Sequence, residues 1–514
     1  MNSWPAIIIL TTVWGLMLSL HAARRRRRRL PPGIVISYSS RLRVGCLNID
    51  LIGLQRPTIT PPKAQTMPWE IYKKWSDTCG AQTLRHHALS FSRSYISALG
   101  SAIIHLIAHQ SDVVVVNNLE AAHELLEIRS HNYSSRPDIP MMELMGRQDN
   151  VVIQKYGKRL RVARQMIHET FSGRKSSEWL PVVEKECSEL LLRLLDDPTD
   201  FRRLIQRYVG SFITCLTYGQ GLDVDYLRLV DQVSEHGSQA AVPGRWWVNS
   251  YPILKYYPSW APGGEFQRWA RHARKAFNEF TFTPFNRVKQ ELLFSPGTVP
   301  FSFVQKNLAR AVEEGEFNTE NVVAGTAASL YSAAVDTEKA VEEIRQVIGT
   351  ERLPNMGDSG ELPYVEALIK ELHRYHPIVP LLTRSASEAD QYQGYLIPKN
   401  AWVLVNIWAI THNEEEYDNP TQFEPERFIQ GINTRSSPNK KDPRDFTFGI
   451  GRRRCPGSTI ANAAIYLAIT GVLASFSIKA SDTKGKDSLE DIKFSGSTIS
   501  LVTSCLSLPD QLSA

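Results

Sequence analysis

Phe448-Gly449-Ile450-Gly451-Arg452-Arg453-Arg454-Cys455-Pro456-Gly457 places one cysteine in a glycine-rich, arginine-flanked turn, directly ahead of a helix-forming run from Thr459 to Ala474. A cysteine that binds a metal as thiolate needs a chain that turns sharply around the sulfur. Gly451 and Gly457 carry no Cβ to oppose such a turn. It also needs a setting that favours negative charge, which the backbone N–H groups of a helix start supply. Phe448 is an aromatic neighbour able to shield the sulfur, and Arg453 offers a fork of donors to a carboxylate. A lone cysteine is more often a buried free thiol. The full pattern Phe-x-x-Gly-x-Arg-x-Cys-x-Gly fits a thiolate on haem iron better.

The chain has 514 residues, enough to bury a large core as one big domain or two ordinary ones. Its cysteines, Cys46, Cys79, Cys187, Cys215, Cys455 and Cys505, show no paired spacing, so neither a disulfide framework nor a zinc site is expected. The formal charge of +6 is carried by the run Arg24 to Arg29; without those six arginines the 59 basic residues fall to 53, equal to the 53 acidic ones. A near-neutral body argues against a nucleic-acid-binding domain.

Ala6 to Ala23 contains no Asp, Glu, Lys or Arg. As a helix it spans roughly 27 Å, just enough for a hydrocarbon core. The arginines follow at once, and positive flanks stay cytoplasmic. The expected topology is a single N-terminal transmembrane helix with a cytosolic body. A cleaved signal peptide is the alternative, disfavoured because the charge follows the apolar run rather than preceding it. Leu30-Pro31-Pro32-Gly33 reads as a stiff hinge. Asn132-Tyr133-Ser134 is a formal glycosylation sequon that a cytosolic body leaves unused.

Apolar residues recur at helical spacing over Glu178–Leu195, Phe266–Leu293 and Leu362–Tyr375, and strand-like runs lie at Val113–Val116 and Ala401–Asn406. Trp246 to Gly264 is a proline- and aromatic-rich connection. Periodicity alone establishes a mainly α chain with small sheets.

The cysteine string resembles the haem-binding signature of the cytochrome P450 superfamily. Two further motifs resemble the same superfamily in order and approximate spacing: Glu371-Leu372-His373-Arg374, in a helical pattern ended by Pro377, and Phe423-Glu424-Pro425-Glu426-Arg427-Phe428. An i,i+3 Glu–Arg pair alone is a common surface feature. The resemblance implies that Glu371, Arg374 and Arg427 form a buried charge network under the haem pocket. It also implies Cys455 as axial ligand of haem b, and Arg453, Arg384 and Arg164 as cations for the propionates. Leu160 stands where the family carries a tryptophan, so one propionate contact is missing. Asp336-Thr337 matches the acid–threonine pair that relays protons to oxygen, although both residue types also start helices.

The implied fold is the cytochrome P450 fold, mainly α with small sheets, behind the anchor. The expected division is 1–23 anchor, 24–66 basic and proline-rich hinge with an atypical linker, and 67–514 haem-binding domain. The implied enzyme is a monooxygenase of the endoplasmic reticulum membrane, catalytic domain in the cytosol. It hydroxylates or epoxidises an apolar small molecule with O₂. Phrases such as Tyr395-Leu396-Ile397-Pro398-Lys399 resemble fungal members that serve secondary metabolism. No flavin or nicotinamide motif is recognisable, so a separate NADPH-dependent cytochrome P450 reductase is implied. The chain departs from the family in two atypical stretches, 34–64 and 81–99. In addition, the interval between Thr337 and Glu371 is roughly twenty residues short, about 30 Å of helix. Errors of splicing or gene assembly, giving an impaired haem-binding product, are the alternative these departures raise.

Overall fold

The computed structural model describes residues 33–35, 67–74, 76–77, 103–108, 111–171, 177–198, 201–219, 224–242, 245–295, 300–314, 338–349, 351–429, 441–476, 493–494 and 502–504. The longer helices are α1 (Lys158–Phe171), α2 (Leu180–Asp196), α3 (Phe201–Tyr218), α4 (Val224–Ala241), α5 (Glu265–Phe294), α6 (Phe303–Glu314), α7 (Glu338–Ile348), α8 (Pro363–Tyr375) and α9 (Ser458–Ser475). The helical spans expected from periodicity fall within two residues of α2, α5, α8 and α9. The anchor Ala6 to Ala23 and the pair Asp336-Thr337 lie outside the described residues.

The main sheet runs β1-β2-β3-β7-β4, with β1 at Gly33–Val35, β2 at Ile103–Ala108, β3 at Ser111–Val116, β4 at Leu381–Ser385 and β7 at Trp402–Asn406. A small hairpin joins β5 (Asp390–Tyr392) to β6 (Tyr395–Ile397). β4 pairs antiparallel with β7, setting Arg384 opposite Val403. Trp246 to Gly264 is not a plain connection: it carries a helical turn at Trp247–Ser250 and a tight helix at Pro252–Tyr256.

Among the described residues, two hydrophobic cores are the largest of five clusters. The helical core gathers Leu160, Val183, Leu190, Phe285, Ile344, Leu368 and Leu467; the sheet core gathers Ile103, Val114, Leu126, Val403, Val405 and Phe446. Helix α9 is the one described helix long and apolar enough to cross a membrane, but half of it is buried inside the protein. It is a core helix, packed against α2 so closely that a Cβ on Gly471 would meet Cys187 Sγ at 3.2 Å.

Asn132 is buried, and both ends of its amide are used: Oδ1 accepts from the Glu388 N–H at 2.7 Å and Nδ2 donates to the Glu388 carbonyl at 3.2 Å. The sequon is therefore closed by packing, whichever compartment holds the protein.

Candidate active site

The cysteine loop is strung between the two cores. Phe446 and Ile450 belong to the sheet core and Ile460 to the helical core, so both ends of the turn from 446 to 460 are anchored by apolar burial. Within it, Gly449 sits at φ +94 and Gly451 at φ +65, conformations that other residues rarely adopt. A Cβ on Gly451 would lie 2.0 Å from the Leu126 carbonyl oxygen. Gly457, read from sequence as a second turning point, has φ −94 and precedes α9 in an ordinary conformation; Gly449 takes that role instead. The turn closes where the Cys455 N–H donates to the Phe448 carbonyl at 2.7 Å.

Burial pushes the Cys455 thiol above its usual pKa, opposed by a backbone hydrogen bond from Gly457 and by the charge of Arg164. Burial is the larger influence, and the N–H at the helix start opposes it as expected. Coordination to a metal ion removes the thiol proton outright.

Beside the loop, four guanidiniums converge. Arg384 and Arg453 are buried and Arg164 is half-buried, its Nη2 donating to the Arg454 carbonyl at 2.7 Å. The fourth, Arg136, was not singled out in the sequence. An isolated bridge between Ser135 and Ser385 lays its segment along β4, and its Nη1 donates to the Thr383 carbonyl, which also receives Arg384 Nη1 at 2.9 Å. Burial, then the charges of Arg136, Arg453 and Arg164, hold Arg384 well below the usual arginine range. Burial with Arg136 and Arg164 lowers Arg453 to about 9. Guanidiniums nonetheless stay charged at neutral pH, so these shifts mark cations held out of water and, secondarily, close enough to repel one another. Among the described residues no carboxylate pairs with any of the four, and Arg136 Nε is sealed from water without a partner.

Arg453 corrects the sequence reading in one respect. Its fork is spent mainly on backbone: Nε donates to Ser134 at 2.9 Å, Nη1 to Val151 at 3.1 Å, and Nη2 to Gln154. It ties the cysteine loop to the segment ahead of α1, leaving fewer N–H groups for a ligand.

Beneath the loop, α8 carries Glu371 and Arg374 on one face. Arg374 donates to both carboxylate oxygens at 2.7 Å and to the carbonyls of Thr411, Pro420 and Gln422, so every N–H of its guanidinium has a partner. Arg427 Nε lies 3.1 Å from the same carboxylate, and its other nitrogens reach Asp418, Gln422 and Glu424. The Glu424 N–H adds a further bond to Glu371 at 2.8 Å.

Thiol and cations together have the donor chemistry for a haem: one sulfur for iron, and uncompensated guanidiniums for two propionates. Comparison with known proteins agrees. A model of the family described as Cytochrome P450 matches residues 82–339 and 337–501, two stretches that meet at 337–339. The chain is similar to Cytochrome P450 monooxygenase COX1 of Coprinopsis cinerea, 33% identical over 82% of this chain and 83% of that protein. It is similar to Cytochrome P450 monooxygenase ppsD of Aspergillus oryzae, 34% identical over 76% and 78%. A third relative, Cytochrome P450 monooxygenase claR of Ampulloclitocybe clavipes, is 33% identical over 75% and 76%.

Proposed function

The chain belongs to the cytochrome P450 family, and from that premise we propose a membrane-tethered haem-thiolate monooxygenase that hydroxylates or epoxidises an apolar small molecule in fungal secondary metabolism. Haem b is the cofactor and monooxygenation the reaction class. A separate NADPH-dependent reductase supplies electrons. The observation that carries this reading is the half-buried Cys455 thiol beside Arg164, itself one of four clustered guanidiniums that no carboxylate among the described residues pairs.

Cys455 would hold the iron, and Arg136, Arg164 and Arg384, with the N–H groups Arg453 has left, would hold the propionates. The bound haem supplies activation of O₂, one oxygen atom going to a C–H bond or alkene of the substrate and the other to water. Gly449 and Gly451 give the loop its shape, and Phe448 screens the sulfur. Glu371, Arg374 and Arg427 hold α8 and the Pro425–Phe428 turn together beneath it. Asp336 and Thr337 would hand protons to the distal side through water.

Membrane attachment draws on two features. One is the apolar run 6–23. The other is the segment between α4 and α5, where Trp247, Ile253, Tyr256 and Trp260 are 70%, 74%, 81% and 84% exposed. Aromatic side chains of this kind favour the headgroup boundary, and the endoplasmic reticulum is the compartment proposed.

A second reading is favoured by one observation: the family match breaks at 337–339, where the interval to Glu371 is short. On it, the chain is an impaired haem-binding product of a misassembled gene. The reduced carbon-monoxide difference spectrum, followed by NADPH consumption with reductase present, decides. A thiolate-type Soret band with substrate-dependent turnover supports the monooxygenase; a band without turnover supports the second reading. No haem uptake at all defeats the first.

A further inference from the structure

We propose that His373, between Glu371 and Arg374 on α8, is a positioning residue for the thiolate loop: its imidazole braces Phe448, whose carbonyl holds the Cys455 amide. This rests on the haem-thiolate reading above. The rings of His373 and Phe448 lie 5.1 Å apart, tilted by 53°, and His373 is 6% exposed. Phe448 also borders a cavity of about 370 Å³, shared with Glu366, Arg444, Arg454, Asn462 and Tyr466. The ring thus has space to swing into, and the contact with His373 opposes that movement.

Asn462 is the hydrogen-bonding neighbour of the imidazole, and the contact between them is a poor one. Nε2 is buried without a partner at hydrogen-bonding geometry among the described residues, and so is Asn462 Oδ1 beside it. What the side chain contributes is a flat, uncharged face. Burial and Arg444 push its pKa down to about 4, against the opposing pull of Asp442 and Asn462, so the ring is neutral at working pH. The order of contacts is His373 ring, Phe448 ring, Phe448 carbonyl, then Cys455 N–H at 2.7 Å.

The test is the one-electron reduction potential of full-length haem-loaded protein, wild type against His373→Leu and His373→Phe. Losing the planar brace lets water reach the sulfur, and water favours the reduced centre because it carries one more negative charge. The Leu variant is expected to shift the reduction equilibrium about tenfold toward the reduced form, ~59 mV. The Phe variant is expected to stay at the wild-type potential. A Leu variant with an unmoved potential overturns the proposal, as does a Phe variant that moves as far as Leu. If the Leu variant takes up no haem, His373→Met, which fills the space without a ring, reports in its place with the same two outcomes. A wild-type protein lacking the thiolate Soret band would instead remove the haem-thiolate reading, and this proposal with it.

Discussion

Arg374 grips Glu371 through two parallel hydrogen bonds, Nε to Oε2 and Nη2 to Oε1, each 2.7 Å long, and neither side chain has any exposed surface. The carboxylate also takes Arg427 and the Glu424 N–H, so Glu371→Gln strands two buried cations at once. The expected loss is about 3–5 kcal/mol, read as a fall in the urea midpoint together with lower haem content. Arg374→Lys should lose a comparable share, because an ammonium cannot make the paired contact.

Gly451→Ala and Gly457→Ala should behave oppositely. The first forces a Cβ into φ +65 and to 2.0 Å from the Leu126 carbonyl; the second sits at φ −94, outside the left-handed region. The left-handed conformation alone costs roughly 1–2 kcal/mol, and the overlap adds to it. Thermal unfolding and the haem-to-protein ratio should separate the two variants clearly.

The arginine cluster makes a paired prediction. Arg384→Ala and Arg136→Ala each remove a charged donor proposed for the propionates, worth about 1.5–3 kcal/mol, or roughly tenfold to a hundredfold in haem affinity. The haem-free protein should gain stability from the same substitutions, since each relieves repulsion among the four guanidiniums. Arg161→Ala, on the exposed face of α1, should change neither.

Acid should destabilise the protein well above the carboxylate range. Burial lowers His373 and His376 to about 4 and His412 to about 3. These imidazoles are neutral when folded, whereas the unfolded chain takes up protons from about 6.5 downward. The unfolded state then binds more protons, so stability is full above that value and falls as pH drops toward 4. Denaturant midpoints measured from pH 7 to 4.5 should decline steadily. His412→Gln should flatten part of the slope, at the expense of the stack on Trp408 at 4.3 Å.

Membrane association should have two separable parts. Removing residues 1–29 is expected to release most protein from sedimenting membranes. Adding Trp247→Ser and Trp260→Ser should release what remains, because those rings are 70% and 84% exposed. A truncated double variant that still floats with vesicles would contradict the proposed surface.

Much of the site was legible because its parts are local in the chain. Cys455 sits in a ten-residue string whose spacing announces it, and Glu371 with Arg374 is a one-turn relation on a single helix. Arg136 was not legible. It comes beside Arg384 because the backbone bridge between Ser135 and Ser385 lays its segment along β4, where both arginines donate to the Thr383 carbonyl, a pairing across the chain that no local pattern encodes. The same holds for Gly449, whose φ of +94 belongs to a loop closed by the Cys455-to-Phe448 hydrogen bond between the two cores.

Residue order by itself determined the cysteine proposed as ligand, the Glu–Arg pair, the principal helices and the strand-like runs at 113–116 and 401–406, because periodicity and short motifs act within a few turns of chain. Tertiary structure alone decided that Arg136 joins Arg164, Arg384 and Arg453, that burial outweighs the helix start at Cys455, and that His373 meets Phe448. Charge repulsion, desolvation and ring contact depend on distance in space, and the folding of two cores around one loop sets those distances.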